Sequence, residues 1–395
     1  MHYAVRLQCS LLSILSLMSM LRSHWLLLLL LALGFPFMPL LAQETPHEEL
    51  LRAVVLSVRD GQSSSDRDSE RQAIRLRIVT GADAGTEITV EQNRQQRWQI
   101  EEGEKVAIRK LVKTDASVEY IIAETYRLPA LIWIGLLFVG LAILLGGRKG
   151  IGSITGLFLS IGILIFFIVP RIAEGNDPVL ISLIGALAIA CTSLFLAHGF
   201  HKRTFVAFLS TLATLAIAAG LAALFVHAAK LFGAGSEEAL FLQSGALEHL
   251  NLRGLLLGGI IIGCLGVLDD VTVAQTAVVD ELRKANPSMG TRNLIRASMS
   301  IGKEHIASMI NTLALAYAGA SMPLLLLFTT PSDYPLWFTL NGEFLAEEII
   351  RTLVGSTSLL FAVPISTTFA VLLLKNPTGV STSRSFPSSL HGHRS

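Results

Sequence analysis

The sequence predicts a membrane-embedded bundle of about seven α-helices that follows a small antiparallel β domain. The chain is 52% hydrophobic and only 15% charged, whereas about a quarter of the residues in a soluble domain are charged. Its C-terminal two thirds contain repeated apolar segments, and about 20 helical residues are enough to cross the hydrocarbon core. The polar stretch before them instead shows apolar residues that alternate with polar ones, which is typical of half-buried strands.

The charge and the cysteines exclude several classes of function. The net charge is +1, so no basic excess attracts nucleic acid, and we exclude nucleic acid as a partner. The three cysteines, Cys9, Cys191 and Cys264, all lie in apolar segments. The spacing therefore indicates neither a disulfide framework nor a zinc site. We predict no cofactor and leave metal binding open.

Residues 1–42 have the pattern of an export signal. Arg22 and His24 precede an apolar run that ends with the small residue Ala42, and this order favours a signal peptide. Two alternatives remain open: the segment is an uncleaved anchor helix, or translation starts at Met20 and the first nineteen residues are a mis-called start.

Residues 43–128 are predicted to form the β domain. Apolar residues alternate in four short runs, and the turn sequences RDGQSSSD, TGADAG and EEGEK separate predicted strands. We expect a compact antiparallel sheet or small barrel of about five strands. The alternating residues are Ile74, Leu76, Ile78, Ile88, Val90, Val106, Ile108, Val118, Tyr120 and Ile122.

Residues 129–375 are predicted to form the transmembrane domain, and the Ser-rich residues 376–395 a disordered cytoplasmic tail. The predicted spans are 129–146, 150–169, 178–198, 204–229, 253–268, 305–328 and 348–374. If the β domain is outside, the inner connections and tail carry twelve Lys and Arg residues, against two or three in the outer connections. This imbalance predicts an extracytoplasmic β domain and a cytoplasmic C-terminus.

The fifth predicted span carries glycines and then two carboxylates. The glycines favour close helix packing, and the alternative is a broken helix that lines a cavity. Asp269 and Asp270 follow directly, in a helix that we expect to continue to Lys284. They are either a cap or interfacial anchor, or functional groups on an ion or solute path. The glycines are Gly254, Gly258, Gly259, Gly263 and Gly266.

The sixth predicted span has a polar face. At 100° per residue, Glu304, Ser308, Asn311 and Thr312 share one side, and we expect that side to face the bundle interior. We also expect Asp269 or Asp270 to meet the cluster of Lys303, Glu304 and His305, and His305 to titrate near neutral pH or to serve only as an interfacial residue.

The seventh predicted span starts with charges and contains a proline. Glu347 and Arg351 are spaced to pair along the helix, and Glu348 lies between them. Pro364 is expected to kink the helix. The kink is either a packing feature or part of a polar route along the sixth and seventh spans.

Three stretches in these last spans carry a family resemblance. GVLDDVTVAQTAVVDEL, GKEHIASMINTLALAYAGASMPLLLLF and EEIIRTLVGSTSLLFAVPISTTFAVLLL resemble the YibE/F family of bacterial multi-pass membrane proteins. The resemblance covers about residues 50–375. It implies the class, the orientation and a bacterial plasma-membrane location, and it implies no catalytic residue.

We predict a permease or channel-like protein for a small solute or ion, which contacts the lipid bilayer. Its predicted polar pathway or gate consists of Asp269, Asp270, Glu304, His305, Ser308, Asn311, Thr312, Glu348 and Arg351. Two alternatives remain open: an intramembrane enzyme that uses Asp269 and Asp270, and a non-catalytic envelope assembly factor. The sequence does not predict an oligomeric state.

Overall fold

The computed structural model describes residues 48–60, 71–93, 100–112, 117–245, 247–326 and 335–374. The predicted signal peptide and the predicted tail lie outside these residues. The chain divides into two compact units between Leu144 and Leu145.

The first unit contains a five-stranded antiparallel sheet, as the alternating pattern predicts. The strands are β1 (Glu48–Asp60), β2 (Arg71–Ile78), β3 (Glu87–Asn93), β4 (Lys105–Val112) and β5 (Val118–Thr125). Their order is β3-β2-β1-β4-β5, so the long central β1 pairs with β2 on one side and β4 on the other. The edge strands β3 and β5 also contact each other, which curls the sheet into a half-barrel.

The buried face of this sheet follows the period of two. Ile74, Leu76 and Ile78 on β2 are at most 1% exposed, and Val106 and Ile108 on β4 are fully buried. Alternate residues of a strand point to the same side, so each strand contributes two or three side chains to one core. The prediction of a small β domain is confirmed, and its location relative to the membrane stays a prediction.

The helices begin with a long apolar run. They are α1 (Leu128–Ile163), α2 (Val169–Ala173), α3 (Pro178–His198), α4 (Lys202–Ala228), α5 (Glu237–Ser244), α6 (Leu252–Ala285), α7 (Thr291–Ala320), α8 (Met322–Leu326), α9 (Leu336–Leu340) and α10 (Glu343–Leu373). A π-helical turn, Leu164–Ile168, joins α1 to α2.

Five helical runs in the described chain are long and apolar enough to span a membrane: Leu128–Ala173, α3, α4, α6 and α10. The first two predicted spans fall in one 46-residue run, interrupted by Gly147 with non-helical backbone angles. The sixth predicted span lies in α7, which is not among the five. A membrane protein is therefore supported, and seven spans are not confirmed.

Helix α6 lies at the centre of the second unit and contacts α3, α4, α7 and α10. It runs parallel to α3: Gly254 lies beside Pro178, and Asp269 bonds Ser193, in each case 76 positions apart. It runs antiparallel to α4, because Thr272 meets Thr211 while the later Asp280 meets the earlier Arg203.

Candidate functional site

Asp269 is a buried carboxylate in the middle of a continuous helix. Asn251 begins α6 by accepting a hydrogen bond from the Gly254 N–H (3.0 Å), and the helix continues to Ala285, so the broken-helix alternative is wrong. Asp269 is the eighteenth of its 34 residues, where the backbone donors are already bonded within the helix. The interpretation of Asp269 as a helix cap is therefore wrong.

The Asp269 carboxylate is only partly satisfied. The side chain is 8% exposed. The Ser193 hydroxyl donates to Oδ2 over 3.4 Å, which is long for an O–H···O bond. Oδ1 is buried and makes no hydrogen bond of normal geometry among the described residues, although the Thr211 hydroxyl lies beside the carboxylate. An unpaired buried carboxylate is costly, so this oxygen needs an explanation.

Asp270 has different surroundings, because neighbouring helical residues project about 100° apart. It is exposed and interacts electrostatically with His198 and His305. The expected contact of Asp269 or Asp270 with the cluster of Lys303, Glu304 and His305 stays a prediction. His198 was not among the predicted site residues, although it ends the third predicted span.

The polar face of α7 does not point into the bundle of the described chain. Glu304, Ser308, Asn311 and Thr312 are exposed, so the predicted inward direction is wrong. The buried seam instead contains Leu294, Ser298, Gly302 and Leu313. Gly302 permits this packing, because an added Cβ would contact Val363 and lie 3.0 Å from the Gln275 amide oxygen.

A second group of polar side chains is buried around the C-terminal half of α6. The Gln275 amide donates to the Thr367 hydroxyl (2.7 Å) and to the Ser298 carbonyl (3.0 Å). The Thr211 and Thr272 hydroxyls bond each other at 2.7 Å. With Thr276 and Ser366, these residues are called the polar column. Within the described chain, the hydroxyl oxygens of Thr276, Ser298 and Ser366 are buried without a hydrogen-bond partner.

The contribution of α6 to the polar column was not predicted from the sequence. Thr272, Gln275 and Thr276 follow Asp269 at intervals of three or four, which places them on one side of the helix. That spacing was visible in the sequence. The residues that they meet come from three other helices, and only tertiary packing brings them together.

The opposite end of the bundle is held by carboxylates of α10. Glu343 accepts hydrogen bonds from the backbone N–H groups of Phe232, Gly233 (2.9 Å) and Ala234 (3.5 Å). Glu347 is buried and accepts from the Gly235 N–H (2.9 Å).

The predicted pairing of Glu347 with Arg351 is wrong. Arg351 pairs with Glu348, which leaves Glu347 to bond the backbone of the loop before α5. Helix α10 continues through Pro364, and the Thr368 hydroxyl donates to the Pro364 carbonyl (2.7 Å).

The predicted packing glycines have three kinds of surroundings. A Cβ at Gly254 or Gly258 would press against Pro178 or Ser182 of α3, whereas at Gly263 it would make ordinary contact with the Tyr317 hydroxyl at 3.5 Å. At Gly259 or Gly266, an added Cβ would have no atom of the described chain within 4 Å. Gly254 and Gly258 thus lie against α3, whereas Gly259 and Gly266 are exposed in the described chain, and the packing role of the five glycines stays a prediction.

The described residues contain no group of three or more His, Cys, Asp or Glu side chains arranged to hold a metal ion. The candidate site is centred on the buried Asp269 carboxylate, the hydroxyls beside it and the polar column along α6.

Comparisons with known proteins identify the family of the helical part. No curated protein and no solved structure matches this chain. A family model described as YibE/F-like protein matches residues 134–376. The match includes Asp269 and the polar column. It begins after the sheet, so it does not cover the expected resemblance of the β domain to this family. Because more than half of the sequence is matched, the chain belongs to the YibE/F-like protein family.

Proposed function

We propose that this protein is a permease or channel-like protein for a small solute or ion in the bacterial plasma membrane. The observation that carries the proposal is the burial of Asp269 within a candidate span, where the neighbours that act on it in the described chain are Thr211, Ser193 and Asp270, and none is basic. Ionisable groups at membrane depth are costly and are usually kept for an ion or substrate path.

The depth of Asp269 follows from the register of α3 and α6. Ser193, its partner, lies five residues before the end of α3 at His198. At 1.5 Å per residue, Asp269 lies about 8 Å inside the level at which α3 ends. This depth supports a role inside the membrane rather than at its surface.

The proposed orientation places the sheet outside and the C-terminus in the cytoplasm. The positive-inside pattern supports it, and so does the charge cluster at the end of α6. There Lys284 pairs with Asp280 (2.7 Å), and Arg203 lies 3.9 Å from the same carboxylate. The polar column then leads from Asp269 toward the cytoplasmic side.

The N-terminal half of α6 forms the closed part of this pathway in our proposal. Its buried side chains are apolar and include Leu256, Ile260, Ile261 and Leu265. The buried polar side chains of α6 itself therefore lie between Asp269 and the cytoplasmic side. We propose that Asp269 lies at the inner side of the barrier that a solute or ion must pass.

Flux into proteoliposomes tests the proposal. Wild-type protein is compared with empty liposomes across a panel of monovalent cations, divalent cations, anions and small neutral solutes. We expect at least one flux above background, and we expect Asp269→Asn to lower it about tenfold or more. Asp280→Asn, a carboxylate change on the same helix at the charged end, serves as the matched control and keeps wild-type flux.

Two results would contradict the proposal. One is background flux for every member of the panel with protein that is folded in the liposomes. The other is a real flux that Asp269→Asn leaves unchanged.

A further inference from the structure

We infer that the junction of α3, α4 and α6 is a binding site for one small monovalent cation of the Na⁺ class, held by Asp269, Ser193, Thr211 and Thr272. The inference rests on the proposed function, because it names the class of ion that the pathway handles.

The charge of the junction favours a monovalent cation. Asp269 is more than nine-tenths buried and its Oδ1 makes no hydrogen bond of normal geometry in the described chain. The charged neighbour that acts on it is another carboxylate, Asp270. One buried negative charge is balanced by one monovalent cation, whereas a divalent ion would leave an uncompensated positive charge in the interior.

The atoms that could bind a cation at this junction are oxygens. The junction offers carboxylate and hydroxyl oxygens from three helices, and the neighbouring hydroxyls belong to Ser193, Thr211 and Thr272. Oxygen ligands suit hard cations, while soft transition metals prefer sulfur or imidazole.

The distance between two oxygens of the junction fits a cation of the size of Na⁺. Na⁺ and Ca²⁺ are similar in size, and oxygen ligands lie about 2.3–2.6 Å from a cation of this size. Two ligands that subtend a right angle at the ion are then about 3.4 Å from each other. The Ser193 hydroxyl and Asp269 Oδ2 are separated by 3.4 Å. This distance is long for a hydrogen bond and fits two ligands of one ion. The larger K⁺ requires a wider spacing.

The Thr211 hydroxyl lies between two other oxygens of the junction. It is 2.7 Å from the Thr272 hydroxyl, where either group can be the donor, and it also lies beside the Asp269 carboxylate. A hydroxyl oxygen has two lone pairs. Even where Thr211 accepts a hydrogen bond from Thr272, one lone pair stays available for a cation beside the Asp269 carboxylate.

The test measures binding of radioactive Na⁺ to the full-length protein in detergent, with unlabelled Na⁺, Li⁺, K⁺ and choline as competitors at constant ionic strength. We expect saturable binding of one ion, competition by Na⁺ far stronger than by K⁺ or choline, and loss of binding in Asp269→Asn. Thr211→Val should weaken the apparent affinity about tenfold, the effect of losing one ligand worth about 1.4 kcal/mol.

Thr214→Val is the matched control, because Thr214 is also fully buried on α4 but donates to the Ser210 carbonyl of its own helix (2.7 Å). It should bind Na⁺ like the wild type. If Thr211→Val does not fold, Ser193→Ala tests the same ligand set, with Ser182→Ala on the same helix as its control.

Three results would overturn the inference: no saturable Na⁺ binding by folded wild-type protein at any pH tested, unchanged binding in Asp269→Asn, or equal competition by K⁺ and Na⁺. The first result, combined with a thermal stability that responds to pH but not to Na⁺, would assign the site to a proton. Binding as expected without any flux would contradict the proposed function alone, and flux without Na⁺ binding would contradict this inference alone.

Discussion

The two halves of α6 show how one helix combines a dry core with a polar interior. From Leu252 to Leu268 its buried residues are aliphatic or small, and Gly254 and Gly258 bring α3 close. From Asp269 to Ala285 its buried residues include Asp269, Thr272, Gln275 and Thr276. The buried side chains of the first half are suited to packing, whereas the second half contains polar atoms that the described chain does not fully satisfy. Buried polar groups cost stability and are usually kept for a function, so we propose that the second half of α6 carries the function.

The largest effect on stability is expected in the dry half. Ile261 is 1% exposed, and Ile261→Ala leaves a cavity that should cost about 2–3 kcal/mol. This cost lies in the lower part of the range for substitutions of a buried large aliphatic residue by Ala, because the exposed side chain would contact lipid rather than water. Unfolding in mixed micelles measures the loss. Leu224→Ala on α4, where the leucine is exposed, is the control, and an equal loss in both variants would contradict a packed core at Ile261.

The next largest effect is expected from the polar column. Gln275→Leu leaves the Thr367 hydroxyl and the Ser298 carbonyl without their shared donor, which should cost about 1–3 kcal/mol. The same unfolding assay measures it. Adding Thr367→Val to Gln275→Leu should recover part of the loss, because both polar partners are then replaced. A purely additive double variant would show that the two side chains do not interact.

A smaller effect is expected at the other end of the bundle. Glu347→Gln keeps the size of the side chain but weakens its charge-assisted bond to the Gly235 N–H, at an expected cost of about 1 kcal/mol. Hydrogen exchange should then show faster exchange at Gly235 and its neighbours in the loop. Glu348→Gln is the control, since Glu348 pairs with Arg351 instead, and equal exchange in the two variants would contradict the assignment.

The smallest effect is expected in the β domain, where a carboxylate in the turn between β2 and β3 has two partners. Lys110 pairs with Asp83, and the Tyr120 hydroxyl donates to the same oxygen (3.2 Å). The Lys110 hydrogen bond lowers the pKa of Asp83 below its ordinary value. A lowered pKa stabilises the fold above the unfolded value, about 3.9 for Asp, and this stabilisation is lost as the pH falls further.

Hydrogen exchange of β3 to β5 tests this pH dependence. Protection factors in the wild type should decrease slightly below about pH 4, and Asp83→Asn should remove that decrease. The Lys110 pKa is raised by the same pair, so its contribution is lost only as the pH rises through the alkaline range. An acid-dependent decrease of equal size in Asp83→Asn would contradict the assignment to this carboxylate.

The sheet could be predicted from the sequence because each strand follows a local rule. Alternation places Ile74, Leu76 and Ile78 on one side whatever the rest of the chain does, and water on the other side keeps the pattern clear. The continuity of α6 beyond Asp270 was predicted for a similar reason, since its helical pattern does not stop at the carboxylates.

The direction of α7 could not be predicted by the same reasoning. Its polar residues were expected to be covered, but the small residues Ser298 and Gly302 form the seam that fits α6 and α10. Close approach of helices depends on the shape of the partner, which one helical pattern does not contain. For the same reason Asp269 was identified from the sequence, whereas Ser193 and Thr211 were not.

The central claim is that Asp269 is retained for function at a cost in stability, and one paired measurement on Asp269→Asn tests it most directly. The variant removes a buried charge with an unpaired oxygen and keeps the size of the side chain, so its unfolding temperature without added Na⁺ should rise while flux into proteoliposomes falls about tenfold or more. A lower unfolding temperature together with unchanged flux would make Asp269 a structural residue and would contradict the account.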